Sequence, residues 1–214
     1  MPDTPSPHPA APAAVILAGG AGRRHGGVIK ANLQFRGHRL LDHVEARLSG
    51  ASPVLLSVGW HDPALFAPLG ALVPLADARP DGGPLEGIRA AVTWLRAFRP
   101  DVERLVTLAV DAPFVPRDLV QRLQAALNDA DAAHAVGAAE PETDLPGRAH
   151  PTHALYRIAA LDSALAHLPD GAGPAALLTV LASRAVSFAR VDGLDPFISI
   201  NTPQILESLT EREP

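Results

Sequence analysis

The chain has 214 residues, 23 acidic against 18 basic side chains, no cysteine, and a composition that is 47% hydrophobic but only 4% aromatic. This length suits one α/β domain or two small ones, and the apolar content excludes a disordered protein. A net formal charge of −5 leaves no basic footprint for nucleic acid, and the lack of cysteine excludes disulfides, thiol catalysis and Cys-ligated metal sites.

The opening segment MPDTPSPHPAAP is proline-rich and has no cationic stretch leading into a long apolar run. It reads as a disordered tail over residues 1–12 rather than a signal peptide. No later stretch approaches the ~20 apolar residues that span a bilayer, so a soluble, cytoplasmic protein without membrane contact is expected. AAVILA (13–18) is a continuous apolar run ending in glycines, as a buried parallel strand would be. RLLDHVEARLSG (39–50) places Leu40, Leu41, Val44 and Leu48 on one helical face, with Gly50 as a stop. VLLSVG (54–59) and ALVPLAD (71–77) read as strands, the second confined by Pro74 to an edge or an irregular course. GPLEGIRAAVTWLRAF (83–98) repeats apolar residues at helical spacing, RLVTLAVDAP (104–113) is the strongest strand, and PRDLVQRLQAALNDA (116–130) is a helix opened by Pro116.

The second half alternates less regularly. AAHAVGAA (132–139) and HALYRI (153–158) are strand candidates around a polar loop from Glu140 to Gly147. Helices are expected at Ile158–Leu168 and Pro174–Ser183, strands at VSFARV (186–191) and FISIN (197–201), and a closing helix at TPQILESL (202–209). The β-then-α rhythm of the first 130 residues predicts a doubly wound, mainly parallel central sheet with helices on both faces. No long linker divides it, so residues 13–209 read as a single domain followed by a polar tail at 210–214. Trp60, Trp94 and Phe98 read as packing residues.

In open α/β sheets, ligands bind at the carboxyl ends of the strands, and three features fall there. LAGGAGRRHGGVIK (17–30) follows the first strand. Glycines at 19, 20 and 22 permit sharp turns that bring main-chain N–H groups near phosphate oxygens, and Arg23, Arg24 and Lys30 add positive charge. The loop is neither a Walker A sequence nor GxGxxG. Asp111 ends the long apolar strand; a hard divalent cation such as Mg²⁺ needs only one or two such carboxylates because it retains waters. Asp77 ends another strand before a Gly82-Gly83-Pro84 turn that opens a helix, and its carboxylate could accept hydrogen bonds from a base amino group or a ribose hydroxyl. Each alone also fits a structural turn; their common location favours a nucleoside triphosphate site.

The ordered set LAGGxxRRxGGVxK, GPLxGI, strand–Asp–Pro (VDAP), HPT and FxxxNTP, spanning residues 15 to about 206, resembles the molybdenum cofactor guanylyltransferases. That resemblance implies a Rossmann-like nucleotidyltransferase fold, Mg²⁺ as cofactor, and transfer of GMP from GTP to the phosphate of molybdopterin or Mo-molybdopterin, with other cofactor-assembly proteins as partners. Position by position, it implies that Leu17, Ala18, Gly19 and Gly20 touch the nucleotide through the main chain. Lys30 and Arg24 would offset phosphate charge, Asp77 would contact the guanosine, and Asp111 would hold the metal. Ser57 stands where the family often has a nucleotide-contacting Asn, and His150, Thr152 and Asn201 would lie toward the pterin.

Some positions depart from the family pattern. His25 and Ile29 replace the usual Met and Asp, Ser199 replaces the first Asn of the late motif, and Ser57 shortens a polar contact. A relaxed second substrate is one consequence to consider. Other readings are a CTP-using or sugar-phosphate transferase of the same fold, which Gly19 disfavours since the related cytidylyltransferases typically carry LAAG, and a non-catalytic nucleotide- or pterin-binding homologue. The His150–His153 pair invites a metal reading, but Pro151 and the β-like HALY favour an extended path on which the two would not share a face.

Overall fold

The run AAVIL forms strand β1 (Ala13–Leu17), whose five residues are all buried. Its neighbours explain why no polar residue interrupts it. β4 (Val54–Gly59) pairs with it in parallel along one edge and β6 (Arg104–Ala109) along the other, and apolar clusters pack on both of its faces. This computed structural model describes residues 10–20, 28–79, 82–139 and 147–211.

Between β1 and β4 lie a single 3₁₀ turn (Lys30–Asn32), the short hairpin β2 (Gln34–Phe35) and β3 (His38–Arg39), and helix α1 (Leu40–Glu45). β5 (Val73–Ala76) and α2 (Pro84–Phe98) precede β6. α3 (Leu119–Leu127), β7 (Ala132–Val136), β8 (Ala149–Arg157), α4 (Ile158–His167), α5 (Ala175–Val180), β9 (Ser183–Ser187) and α6 (Pro203–Thr210) complete the order. The central sheet has seven strands in the order β5-β4-β1-β6-β8-β7-β9. All neighbours run parallel except β8, which is antiparallel to both β6 and β7. Pro74 sits on the edge strand β5, where its missing N–H costs no ladder bond.

Side-chain alternation along β1 sorts the core into two layers. Ala14 and Ile16 join Leu41 and Val44 of α1 and Leu119, Val120 and Leu123 of α3 in one cluster. Ala13, Val15 and Leu17 join Leu85, Ile88 and Leu95 of α2, Leu161 of α4 and Leu177 of α5 in the other. Helices therefore cover both faces, as the chain rhythm predicts. A third cluster matters for the site: Ile200 and Leu209 pack on Phe35 and Leu40, tying the C-terminal segment to the hairpin that follows Lys30.

Three late elements differ from expectation. FISIN is not a strand; it makes local bonds such as Ile198 N–H to the Asp195 carbonyl at 3.1 Å and one main-chain bond from Ile200 N–H to the Asp111 carbonyl at 2.8 Å. The strand expected at 186–191 is shifted to Ser183–Ser187, because parallel pairing with β7 aligns Ala132 with Ser183 and Val136 with Ser187. The preceding helix ends at Val180, short of Ser183.

Candidate active site

The carboxyl ends of β1, β4 and β6, with the residue following β5, open into one cleft of about 310 Å³. Leu17, Ala18, Gly19 and Gly20 line it, as do Ser57, Asp77 and Asp111, so the three features read from sequence meet in space. The ladder holds them there by continuing past the strands. Ala18 N–H donates to the Ser57 carbonyl at 3.0 Å, Val110 N–H to the Leu17 carbonyl at 3.2 Å, and Asp77 N–H to the Gly59 carbonyl at 2.8 Å.

Three glycines are required by close approach. A Cβ on Gly19 would stand 2.6 Å from both Cα and N of Gly59, which itself has φ of +65°. Only a pair of residues without Cβ lets these strand ends touch. Gly19 thus has a packing reason independent of any choice between GTP and CTP. In α2, a Cβ on Gly87 would fall on the Ser57 hydroxyl, so the second glycine of GPLEG lets the helix settle against β4.

Lys30 lies on the 3₁₀ turn and reaches into the cleft. Its ammonium donates to Asp111 Oδ2 at 2.8 Å and to Asn201 Oδ1 at 2.6 Å. Lys30 and Asp111 side chains are 18% and 15% exposed, partly shielded but open to the cleft. Asn201 does not itself line the cleft; the Ile200–Asp111 main-chain bond brings it beside the lysine. Ile29, the residue before Lys30, packs against the first core cluster, an apolar use of a position where the family has a carboxylate.

At the other end of the cleft, the Ser57 hydroxyl donates to Asp77 at 3.2 Å. Burial raises the pKa of Asp77 above the usual carboxylate range; the Ser57 bond opposes this and the negative charge of Glu86 reinforces it. Glu86 is buried in the first turn of α2 and held by Arg79 at 2.8 Å and Arg89 at 3.3 Å. Trp60 also lines the cleft and is 60% exposed, which corrects its reading as a packing residue. Phe98 is likewise exposed, whereas Trp94 packs against the second core cluster.

The residues expected on the pterin side are divided. Thr152 lines the cleft, and so does Ser199, which was not among them, whereas Asn201 stands behind the cleft on Lys30. His150 does not line it; its Nε2 lies 3.1 Å from Asp195 Oδ2 and its ring rests on Phe197 at 4.8 Å between centroids. Burial lowers the pKa of His150, with Asp195 pulling the other way. His153 is fully buried, and burial pushes it down to about 3. Both histidines sit on the extended β8, as Pro151 suggests, yet their rings are 6.2 Å apart because the β7–β8 register shifts between His134 and Ala135. Among the described residues no three His, Cys, Asp or Glu side chains gather as a metal cage. Arg23 and Arg24 lie outside the described residues.

Sequence reasoning missed Gly59, Trp60 and Asp195. A tryptophan directly after a strand-ending glycine was a usable signal for the second; Asp195 had none, since its partner is 45 residues away.

The family model for a MobA-like NTP transferase domain matches residues 14–186. A molybdenum cofactor guanylyltransferase of Acidiphilium cryptum is 44% identical over 199 residues, covering 91% of this chain and 92% of the relative. A protein of the same name from Rhodopseudomonas palustris is 38% identical, covering 96% of this chain and 95% of its own. Among solved structures, molybdopterin-guanine dinucleotide biosynthesis protein A from Archaeoglobus fulgidus is 25% identical with a TM-score of 0.62, covering 92% of this chain and 96% of that one. The cleft at the strand ends therefore sits in a chain that belongs to the MobA-like NTP transferases, in the group of the molybdenum cofactor guanylyltransferases.

Proposed function

We propose that this chain transfers GMP from GTP to the terminal phosphate of molybdopterin, free or loaded with molybdenum, and releases pyrophosphate. The observation that carries the reading is the meeting, in one cleft, of the Leu17–Gly20 main chain, the Lys30 ammonium and the Asp111 carboxylate. The names of the relatives support guanylyl transfer over the cytidylyl and sugar-phosphate alternatives.

The chemistry asks little covalent work of the protein. The pterin phosphate oxygen attacks the α-phosphorus of GTP, a P–O bond forms, and the bond to the β-phosphate oxygen breaks with its electron pair leaving on pyrophosphate. The nucleophile is already anionic, so no general base is required, and catalysis rests on position and charge. Main-chain N–H groups at Gly19 and Gly20 would cradle the phosphates, while the Ala18 N–H stays bound to the Ser57 carbonyl. Lys30 would offset charge on the leaving pyrophosphate, a role that Arg24 would share. Asp77, with the Ser57 hydroxyl, would receive the polar edge of the nucleoside. Thr152 and Ser199 would face the pterin phosphate, with Asn201 steadying Lys30 beside them and His150 bracing this wall from behind.

Asp111 fits a divalent cation such as Mg²⁺. Lys30 occupies one carboxylate oxygen, the other has no hydrogen-bond donor among the described residues, and a cation that keeps waters and takes phosphate oxygens needs no protein cage. Such a cation would supply Lewis-acid neutralisation of the phosphate charge. Asp111→Ala should cut Mg²⁺-dependent pyrophosphate release, assayed with GTP and Mo-molybdopterin, by about a hundredfold or more, the scale of losing a charge-stabilising group. Circular dichroism would check that the fold is intact. Undiminished turnover in this variant would overturn the assignment.

A further inference from the structure

Trp60 is a large aromatic side chain left 60% exposed at the wall of a ligand cleft, and nothing in the transfer chemistry uses it. Its position is fixed from behind. Gly59, with φ of +65°, turns the chain at the end of β4, and the Gly59 carbonyl accepts the Asp77 N–H, so Trp60 and Asp77 leave adjacent strand ends together. The indole stacks on His61 with centroids 4.7 Å apart and planes inclined by 25°. His61 in turn meets the buried ring of Phe66 edge-on at 6.2 Å. One indole face is thus backed by a stack anchored in the core, and the exposed remainder borders the cleft.

An exposed aromatic held rigid beside hydrogen-bonding groups is suited to a flat ligand that is apolar on its faces and polar at its edge. Ser57 and Asp77 provide the edge partners at the same end of the cleft, while Lys30 and Asp111 provide for charge toward the other. We propose that Trp60 is the stacking platform for the nucleobase, and that its large face favours a purine over the smaller pyrimidine ring. The proposal rests on the nucleoside lying at Asp77 in the guanylyl-transfer reading. It assigns a ligand contact and a contribution to base preference to a residue that the family motifs leave unassigned.

The chain holds two tryptophans, and Trp94 lies on α2, stacked obliquely with Phe98 rather than in the cleft. In a Trp94→Phe protein, fluorescence therefore reports Trp60 alone. GTP should quench this emission in a saturable way, with CTP requiring a clearly higher concentration. Calorimetry should find GTP bound roughly tenfold or more weakly by Trp60→Ala, the loss expected for one base–aromatic stack, while Trp60→Phe retains most of the affinity. Binding of inorganic tripolyphosphate should be the same in wild type and Trp60→Ala. Equal GTP affinity in wild type and Trp60→Ala would overturn the stacking role and leave the transferase reading standing. Failure of the wild-type protein to bind GTP at all would overturn both.

Discussion

Acidification from pH 7.5 to 5.0 should weaken the wall of the cleft through His153. This side chain is 1% exposed on β8, its Nδ1 lies 3.2 Å from the Thr152 hydroxyl, and its Nε2 has no hydrogen-bond partner among the described residues. Burial, aided by the neighbouring His150, pushes its pKa down to about 3, whereas an unfolded histidine titrates near 6.5. The folded value lies below the unfolded one, so the unfolded chain binds the proton first. Stability is full above about pH 6.5 and is lost as the pH falls from there toward 3. At pH 5 the difference amounts to about 1.5 pH units at 1.36 kcal/mol each, or roughly 2 kcal/mol. Urea unfolding of wild type and His153→Gln at both pH values isolates this contribution, since the carboxylates are common to both proteins. The wild type should lose about 2 kcal/mol more than the variant, whatever their stabilities at pH 7.5. Parallel pH profiles would refute the buried, uncharged histidine. The consequence reaches the site because Thr152 lines the cleft and its carbonyl accepts a bond from Thr107 at 3.0 Å.

Two further substitutions test how the cleft is held. Gly19→Ala places a Cβ against backbone atoms of Gly59, which no rotamer can relieve; it should lower stability by about 1–3 kcal/mol in thermal unfolding, with weakened GTP binding by calorimetry. Asp195→Ala removes the acceptor for both the Phe197 N–H at 2.8 Å and His150. It should raise KM for the pterin substrate several-fold and raise KM for GTP less, because the turn from Asp195 to Ile200 presents Ser199 to the cleft and meets the nucleotide end only through the Ile200–Asp111 and Asn201–Lys30 bonds.

The parts of the site that were legible in the sequence are those encoded locally. A strand buried on both faces must be apolar throughout, and a residue that ends such a strand must emerge at the sheet edge; AAVIL, Asp77 and Asp111 follow from that alone. Contacts closed by the C-terminal segment were not legible. Asn201 reaches Lys30 across 171 positions, through packing of Ile200 and Leu209 on the hairpin and a single main-chain bond, none of which leaves a periodic signature. FISIN shows why: it is apolar enough for a strand, but burial falls on Phe197 and Ile200, three positions apart, a spacing set by tertiary packing of a loop and not by strand alternation. The place of His150 was not legible for a related reason. The HPT motif points toward the cleft only at Thr152, and the partner that draws His150 aside comes from a distant turn.

The departures from the family pattern separate once they are placed in space. Ile29 turns its side chain to the core while its carbonyl receives the Asn32 N–H at 3.0 Å, so the 3₁₀ turn that carries Lys30 is supported without the missing carboxylate. Ser57 is 3% exposed and wedged against Gly87, yet it keeps a polar link to Asp77. The shorter side chain therefore keeps a hydrogen-bonding group beside Asp77 in a space that the helix leaves narrow. Ser199 is different, because it stands at the cleft surface, where a serine reaches less far than an asparagine. His25 lies outside the described residues; of the three replacements within them, Ser199 alone alters what a second substrate would meet, and broadening of substrate choice by these three should trace to that position rather than to the nucleotide end.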